Sequence, residues 1–217
     1  YSQKDKKLHA FTDYLWSSLF VSSIVHSHSS IPSTVCIPTC TDLRRYLSKQ
    51  NYSICSFYST VSPCVAVRPN DSLRFIGESL KRDLNRRMKI GEDLGFLKTI
   101  ESLSDQSRDV KIVDSPKKVG IELTYVGAVN IKRPITNIFM NLNMDANYTD
   151  SILSLMGFAC KSEDKNDVTL RLRYSPSTLY KEEVVKMMKS IEFILTKIPP
   201  ETSLIDTVKA VTMFHKK

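Results

Sequence analysis

The sequence has no Gly-rich phosphate loop, no nucleophile elbow and no dinucleotide fingerprint, which sets aside kinases, serine hydrolases and Rossmann enzymes. No Cys-x-x-Cys pair is matched by a second such pair, so a structural zinc site is not expected. His26 and His28 have no carboxylate or Cys beside them to complete a ligand set, and they read as loop residues. No apolar run reaches the roughly 20 residues that span a bilayer. Leu15–Ile24 is too short, and serines interrupt it. No repeat of 20–50 residues and no internal linker divides the chain.

What is present is the composition of an ordinary globular protein, 217 residues long, enough for one large domain or two small ones. The net charge of +8 reads first as a basic surface. It would also favour an acidic partner such as a nucleotide, a coenzyme phosphate, nucleic acid or a lipid headgroup. Cys36, Cys40, Cys55, Cys64 and Cys160 are odd in number. They are expected to be reduced, mostly as small core residues, in a cytoplasmic protein. The chain opens at Tyr1, and is expected to be a piece of a longer polypeptide.

Ser33–Leu47 organises the rest. Thr34–Pro38 reads as a short strand with Val35 and Ile37 on one side and Cys36 on the other. It opens into Asp42-Leu43-Arg44-Arg45, which places two arginines at a strand's C-terminal end, where open α/β sheets hold ligands. Before it, Lys6–Val25 reads as an amphipathic helix, with Leu8, Phe11, Leu15 and Leu19 on its apolar face. After it, Tyr52–Val67 is extended and kinked at Pro63. Asn70 or Asp71 caps a helix carrying Leu73, Ile76, Leu80, Leu84 and Met88 on one stripe. Arg74, Lys81, Arg82, Arg86, Arg87 and Lys89 cover much of the rest. Without interleaved aromatics they read as a solvated face rather than a nucleic-acid surface. Gly91 and Gly95 bend or end this helix. A short helix, Phe96–Leu103, and a polar loop, Ser104–Lys118, follow.

The second half is mostly strands. Val119, Ile121, Leu123 and Tyr125 alternate with Glu122 and Thr124. Ile135–Met144 and Ile152–Cys160 are further apolar runs. Lys161–Asp167 is a hairpin turn, and Val168, Leu170, Leu172 and Tyr174 face opposite Thr169, Arg171 and Arg173. A last long helix carries Val184, Met188, Ile191, Leu195 and Ile198, ended by Pro199-Pro200. The sum is α/β: one mixed sheet with helices packed on one face, residues 1–200, then an amphipathic tail at 201–217, helical over Leu204–Met213.

Three pieces of this order resemble the C-terminal lobe of the CoA-dependent acyltransferase superfamily, which includes chloramphenicol acetyltransferases, peptide-synthetase condensation domains and fungal alcohol acetyltransferases. The first is the opening helix and strand followed by Asp42-Leu43-Arg44-Arg45-Tyr46-Leu47. It is similar to the Asn-Leu-Arg-Arg-Tyr-Leu segment of the fungal alcohol acetyltransferases. The second, Leu123-Thr124-Tyr125-Val126-Gly127, is similar to the family's Ser-Asn-Leu-Gly strand end, with Tyr125 in the place of Asn. The third is the closing block Val168–Ile198.

The resemblance implies two lobes of like topology with a channel between them for acyl-CoA and an acceptor. It also implies a His-x-x-x-Asp base in the lobe upstream of this chain. The partner is then an N-terminal lobe, of the same polypeptide or of another protein, with a small-molecule acceptor; nucleic acid and a transmembrane segment are not expected. On this reading Thr124 is the interlobe hydroxyl, and Arg44, Arg45 and Gly127 join it at the substrate or CoA wall. Arg44 and Arg45 either contact a coenzyme phosphate or brace the lobe through ion pairs. The chain's own His9-Ala-Phe-Thr-Asp13 matches the family's spacing, but within a helix, where i and i+4 form a surface or interlobe pair. Thr124, His9 and Asp13 are therefore the candidate catalytic residues within the chain, and no metal is expected. A non-catalytic lobe serving as an interaction module is the alternative.

Overall fold

The computed structural model describes residues 11–27, 29–46, 58–95, 120–132, 134, 138, 151–161 and 166–216. His9, His28, Leu47, the helix Phe96–Leu103, the loop Ser104–Lys118 and nearly all of the run Ile135–Met144 lie outside them. Among the described residues, no helix is long and apolar enough to cross a membrane.

The first helix, α1 (Phe11–Ser27), is the centre of the molecule rather than an amphipathic cover. Leu15, Trp16, Leu19, Phe20 and Val21 point in different directions around it, and all are buried. The helix tolerates burial on most sides because its serines find backbone partners. Ser18 Oγ donates to Tyr14 O of the preceding turn (2.7 Å), Ser17 Oγ to Leu73 O (2.7 Å) and Ser22 Oγ to Met187 O (3.1 Å). Tyr14 donates to the carbonyls of Ile194 and Ile198, and burial pushes its phenol up to about 12. Trp16 Nε1 donates to Thr39 Oγ1 at 3.0 Å, which fixes α1 on the sheet.

The expected strand Thr34–Pro38 is two strands. β1 (Thr34–Cys36) and β2 (Thr39–Asp42) are separated at Pro38, which has no N–H for a ladder. β3 (Tyr58–Val61) and β4 (Cys64–Ala66) are likewise divided before Pro63. β1 pairs antiparallel with β4 as a two-stranded ribbon. The main sheet adds β5 (Gly120–Asn130), β6 (Ser151–Lys161) and β7 (Asn166–Tyr174), in the order β3-β2-β5-β6-β7. Its inner pairs, β2 with β5 and β5 with β6, are parallel; its outer pairs are antiparallel.

Three further helices pack around α1 on one face of this sheet. They are α2 (Leu73–Lys89), α3 (Lys181–Lys197) and α4 (Leu204–Phe214). Leu123, Leu153 and Leu155 of the sheet meet Leu15, Leu19, Ile76, Ile191 and Ile194 in one core, to which α4 contributes Leu204 and Val211. The opposite face carries a smaller cluster of Ile131, Phe158 and Cys160. The cap of α2 is Ser72, whose hydroxyl accepts from Phe75 N at 3.1 Å; Asn70 and Asp71 do not fill that role. Asp71 instead closes the preceding turn by accepting from Arg68 N. The helix stops at Gly91, whose φ of 77° suits a residue without Cβ.

The cysteine expectation is corrected at one pair. Cys36 and Cys64 stand directly opposite in the β1–β4 ribbon, with Cα atoms 4.1 Å apart, and they form a disulfide. The close spacing is that of a non-hydrogen-bonded antiparallel pair, where the side chains approach most nearly. Cys40 and Cys160 are free thiols.

Candidate functional site

The strands put two chemistries on the two sides of the sheet. Along β5, Ile121, Leu123 and Tyr125 turn toward the helices, and Tyr125 packs edge-on against Phe11, with centroids 5.5 Å apart. Glu122 and Thr124 therefore turn to the other face. Cys40 joins them from β2, because its neighbour Thr39 faces α1 and pairs with Leu123. From β7, Arg173 comes into register with Ser154 of β6, which is itself opposite Glu122.

The result is a row of polar side chains across three strands. Thr124 Oγ1 donates to Cys40 Sγ at 3.1 Å, and Cys40 Sγ donates to Glu122 Oε1 at 3.6 Å. Glu122 Oε2 lies 3.7 Å from Arg173 Nη2. Both Nη atoms of Arg173 are shut from solvent and make no hydrogen bond among the described residues, so the carboxylate supplies their countercharge. Burial pushes the Cys40 thiol pKa up, and the charge of Glu122 adds to this against the pull of the Thr124 hydrogen bond. The thiol is therefore protonated at neutral pH.

Gly127 sits at the end of this row with φ of 94°, in a bulge where the pairing of β5 with β6 shifts between Tyr125 and Ala128. The extra residue reverses the strand's alternation. Beyond it the odd-numbered Val129 and Ile131 join the cluster on the face away from the helices. A glycine is needed here because an L side chain rarely adopts that φ.

The two arginines after β2 part company. Leu43–Tyr46 forms a single 3-10 turn. Arg44 stays exposed beside Asp42, with its backbone N–H on Asp42 Oδ1 at 2.9 Å. Arg45 pairs with the fully buried carboxylate of Asp93 and stacks over the Tyr46 ring, whose hydroxyl donates to Asp93 Oδ1 at 3.1 Å. Asp13 lies in the first turn of α1, in the α1–α2 contact. Burial pushes its carboxyl up, against the pull of Lys81, whose Nζ is 3.3 Å away. Thr124 and Gly127 are thus brought onto one strand face, while Asp13 is placed among helices on the other.

The basic stripe of α2 is largely neutralised within the protein. Arg74 pairs with Glu201, Lys81 with Asp13, Arg86 with Asp83, and Arg87 with both Asp83 and Glu92. Among the described residues no group of three or more His, Cys, Asp or Glu gathers as metal ligands. A groove of about 570 Å³ runs between β7 and α3, with apolar walls of Leu170, Leu172, Val184 and Met188 and the charged Arg171, Lys189 and Glu192 also lining it.

Cys40 and Glu122 were not singled out by the sequence, and Arg173, which strand alternation alone reads as part of a solvated face with Arg171, instead has both Nη atoms shut from solvent. Strand alternation places Glu122 beside Thr124, but only the sheet order brings β2 against β5.

No family profile and no curated protein matches this chain. Solved structures do. The starter condensation domain of rhizomide synthetase RzmA superposes with a TM-score of 0.58 at 8% identity, over 91% of this chain and 44% of that one. The X-domain structure from teicoplanin biosynthesis, solved as a complex with OxyB, gives 0.62 at 11%, over 90% and 42%. The trichothecene 15-O-acetyltransferase TRI3 of Fusarium sporotrichioides gives 0.55 at 15%, over 84% and 40%.

The fold is that of one lobe of the condensation-domain and acetyltransferase structures. The likeness first seen in the Asp42–Leu47 and Leu123–Gly127 segments therefore extends to the arrangement of the sheet and helices. The chain spans less than half the length of the solved structures it matches.

Proposed function

We propose that this chain is the C-terminal lobe of an acyltransferase. It would form one wall of a channel that takes an acyl-CoA or a carrier-linked acyl group, and move that acyl group to a hydroxyl or amine. The observation that carries the reading is the match of 91% of this chain to under half of a condensation domain, and of 84% to under half of an O-acetyltransferase. The base, a His in a His-x-x-x-Asp motif, would come from a second lobe of like size. Thr124 and Gly127 lie on the sheet face away from the helices, where that wall would meet ligand, and exposed Arg44, beside Asp42, would contact a coenzyme phosphate. Arg45, committed to buried Asp93, braces the turn. The groove beside β7, part apolar and part charged, is a surface that an adjoining body would cover.

The test is acyl transfer by the full-length polypeptide that contains this segment. It is supplied with acetyl-CoA and a panel of alcohols and amines, and release of free CoA thiol is followed. Turnover that disappears on replacing the upstream His supports the reading. The lack of any His-x-x-x-Asp in the ~200 residues before Tyr1, a span set by ordinary domain size, overturns it. A second reading, a lobe kept for binding alone, is favoured by Tyr125. Its ring is spent on Phe11 in the core, where the family motif has an amide. Stable association with a partner and no turnover would select it.

A further inference from the structure

The row on the sheet face away from the helices has a fixed hydrogen-bond direction. An ionised carboxylate can only accept, and Glu122 is held beside the Arg173 guanidinium at 3.7 Å. The proton between Cys40 and Glu122 must therefore be the thiol's, donated from Sγ to Oε1 at 3.6 Å. A thiol has one proton, so toward Thr124 the sulfur is an acceptor. Thr124 must give its hydroxyl proton to Sγ across the 3.1 Å contact. What Thr124 then offers outward is lone pairs alone.

We infer that Thr124 contacts a hydrogen-bond-donating ligand group, the hydroxyl or amine of the acceptor substrate, with Cys40 and Glu122 as the positioning residues that set its polarity. The inference deepens the acyltransferase reading and rests on it for the word substrate; the polarity itself rests on the geometry of the three side chains. An oxyanion needs a donor, and a Thr124 committed to Cys40 has none to give. All three residues are half-buried, so the row is fixed by its neighbours yet not sealed from solvent. The chain of polarised groups from Arg173 to Thr124 makes the outermost oxygen a better acceptor than a free hydroxyl.

Two measurements on the purified chain test this without turnover. The first is the infrared S–H stretch of Cys40, isolated as the difference between wild type and Cys40→Ser. Donation to Glu122 displaces the band to lower wavenumber, and Glu122→Gln, whose amide can itself donate, returns it. A Cys40 band at the same position in wild type and Glu122→Gln overturns the relay.

The second is saturation-transfer NMR with benzyl alcohol and benzyl methyl ether, probes that differ in one donor proton. The expected result is a roughly three- to tenfold preference for the alcohol, the worth of one neutral hydrogen bond. Thr124→Ser keeps it and Thr124→Val abolishes it. Equal retention of both probes by wild type, or a preference that survives Thr124→Val, overturns the contact. If acyl transfer fails while the S–H shift and the alcohol preference hold, the acyltransferase reading falls and the polarity of Thr124 stands.

Discussion

Gly77 of α2 lies against the backbone of Asp13 in α1. A Cβ on Gly77 would stand 2.7 Å from the Asp13 carbonyl carbon and overlap its oxygen. Two helices can approach this closely only where one of them has no side chain. Gly77→Ala is therefore expected to destabilise the fold by about 1–3 kcal/mol, despite alanine's better helix propensity. Chemical denaturation checks the sign. A variant as stable as wild type would mean that the helices slide apart freely.

Asp83 ties α2 to β4. Burial alone would raise its carboxyl, but Cys64 N–H at 2.9 Å and the Arg87 and Arg86 guanidinium groups outweigh this and bring it down to about 2. A folded-state value below the unfolded value of 3.8 gives stability that is present above pH 3.8 and is lost as pH falls toward 2. Asp83→Asn is expected to cost roughly 2 kcal/mol at neutral pH and to flatten the acid limb of the stability profile. Urea midpoints measured between pH 2 and pH 6 on both proteins decide it.

His26 at the end of α1 and His215 at the cap of α4 both meet Ser190 of α3, at 2.9 and 2.7 Å. Ser190 spends its proton on Lys186 O at 3.0 Å, so both imidazoles donate to it. Burial lowers the His215 pKa, as do the charges of Lys186 and Lys189. The folded state therefore holds the neutral ring, and stability is lost as pH falls through the ordinary His value near 6.5. The melting temperature is expected to drop between pH 7 and pH 5. His215→Gln keeps a donor and removes the titration, so its slope should be shallower in that window.

The disulfide Cys36–Cys64 closes a loop of 28 residues. Chain entropy for that length predicts a loss of about 3.5 kcal/mol when it is reduced. Unfolding with and without a reductant measures the loss. Peptide mapping under non-reducing conditions should recover Cys36 and Cys64 as one linked species.

The strand alternation that put Leu123 inward and Thr124 outward is visible in the sequence, and so is the stripe of α2 and α3. Those patterns are local: a residue's face follows from its neighbours one to four positions away. The candidate site was legible to the same depth. Thr124 and Gly127 stand out within one strand, and Arg44 and Arg45 within one turn. Nothing local told the two arginines apart, because Asp93, which takes Arg45, lies 48 residues on.

By itself the sequence determined α2, α3 and α4 and the strands β5, β6 and β7, the apolar sides of α2, α3 and the first half of β5, and the helix ends at Gly91 and Pro199. Only the tertiary structure decided that α1 is the centre of the core rather than its cover. It also decided that Cys36 meets Cys64, and that Cys40 joins Glu122, Thr124 and Arg173 in one row. The reason is physical: periodicity reports that a side chain is to be buried or exposed, and carries no information on what it will touch. Partners 28 to 84 residues apart are chosen by strand order and register, which are settled only when the whole sheet closes on its helices.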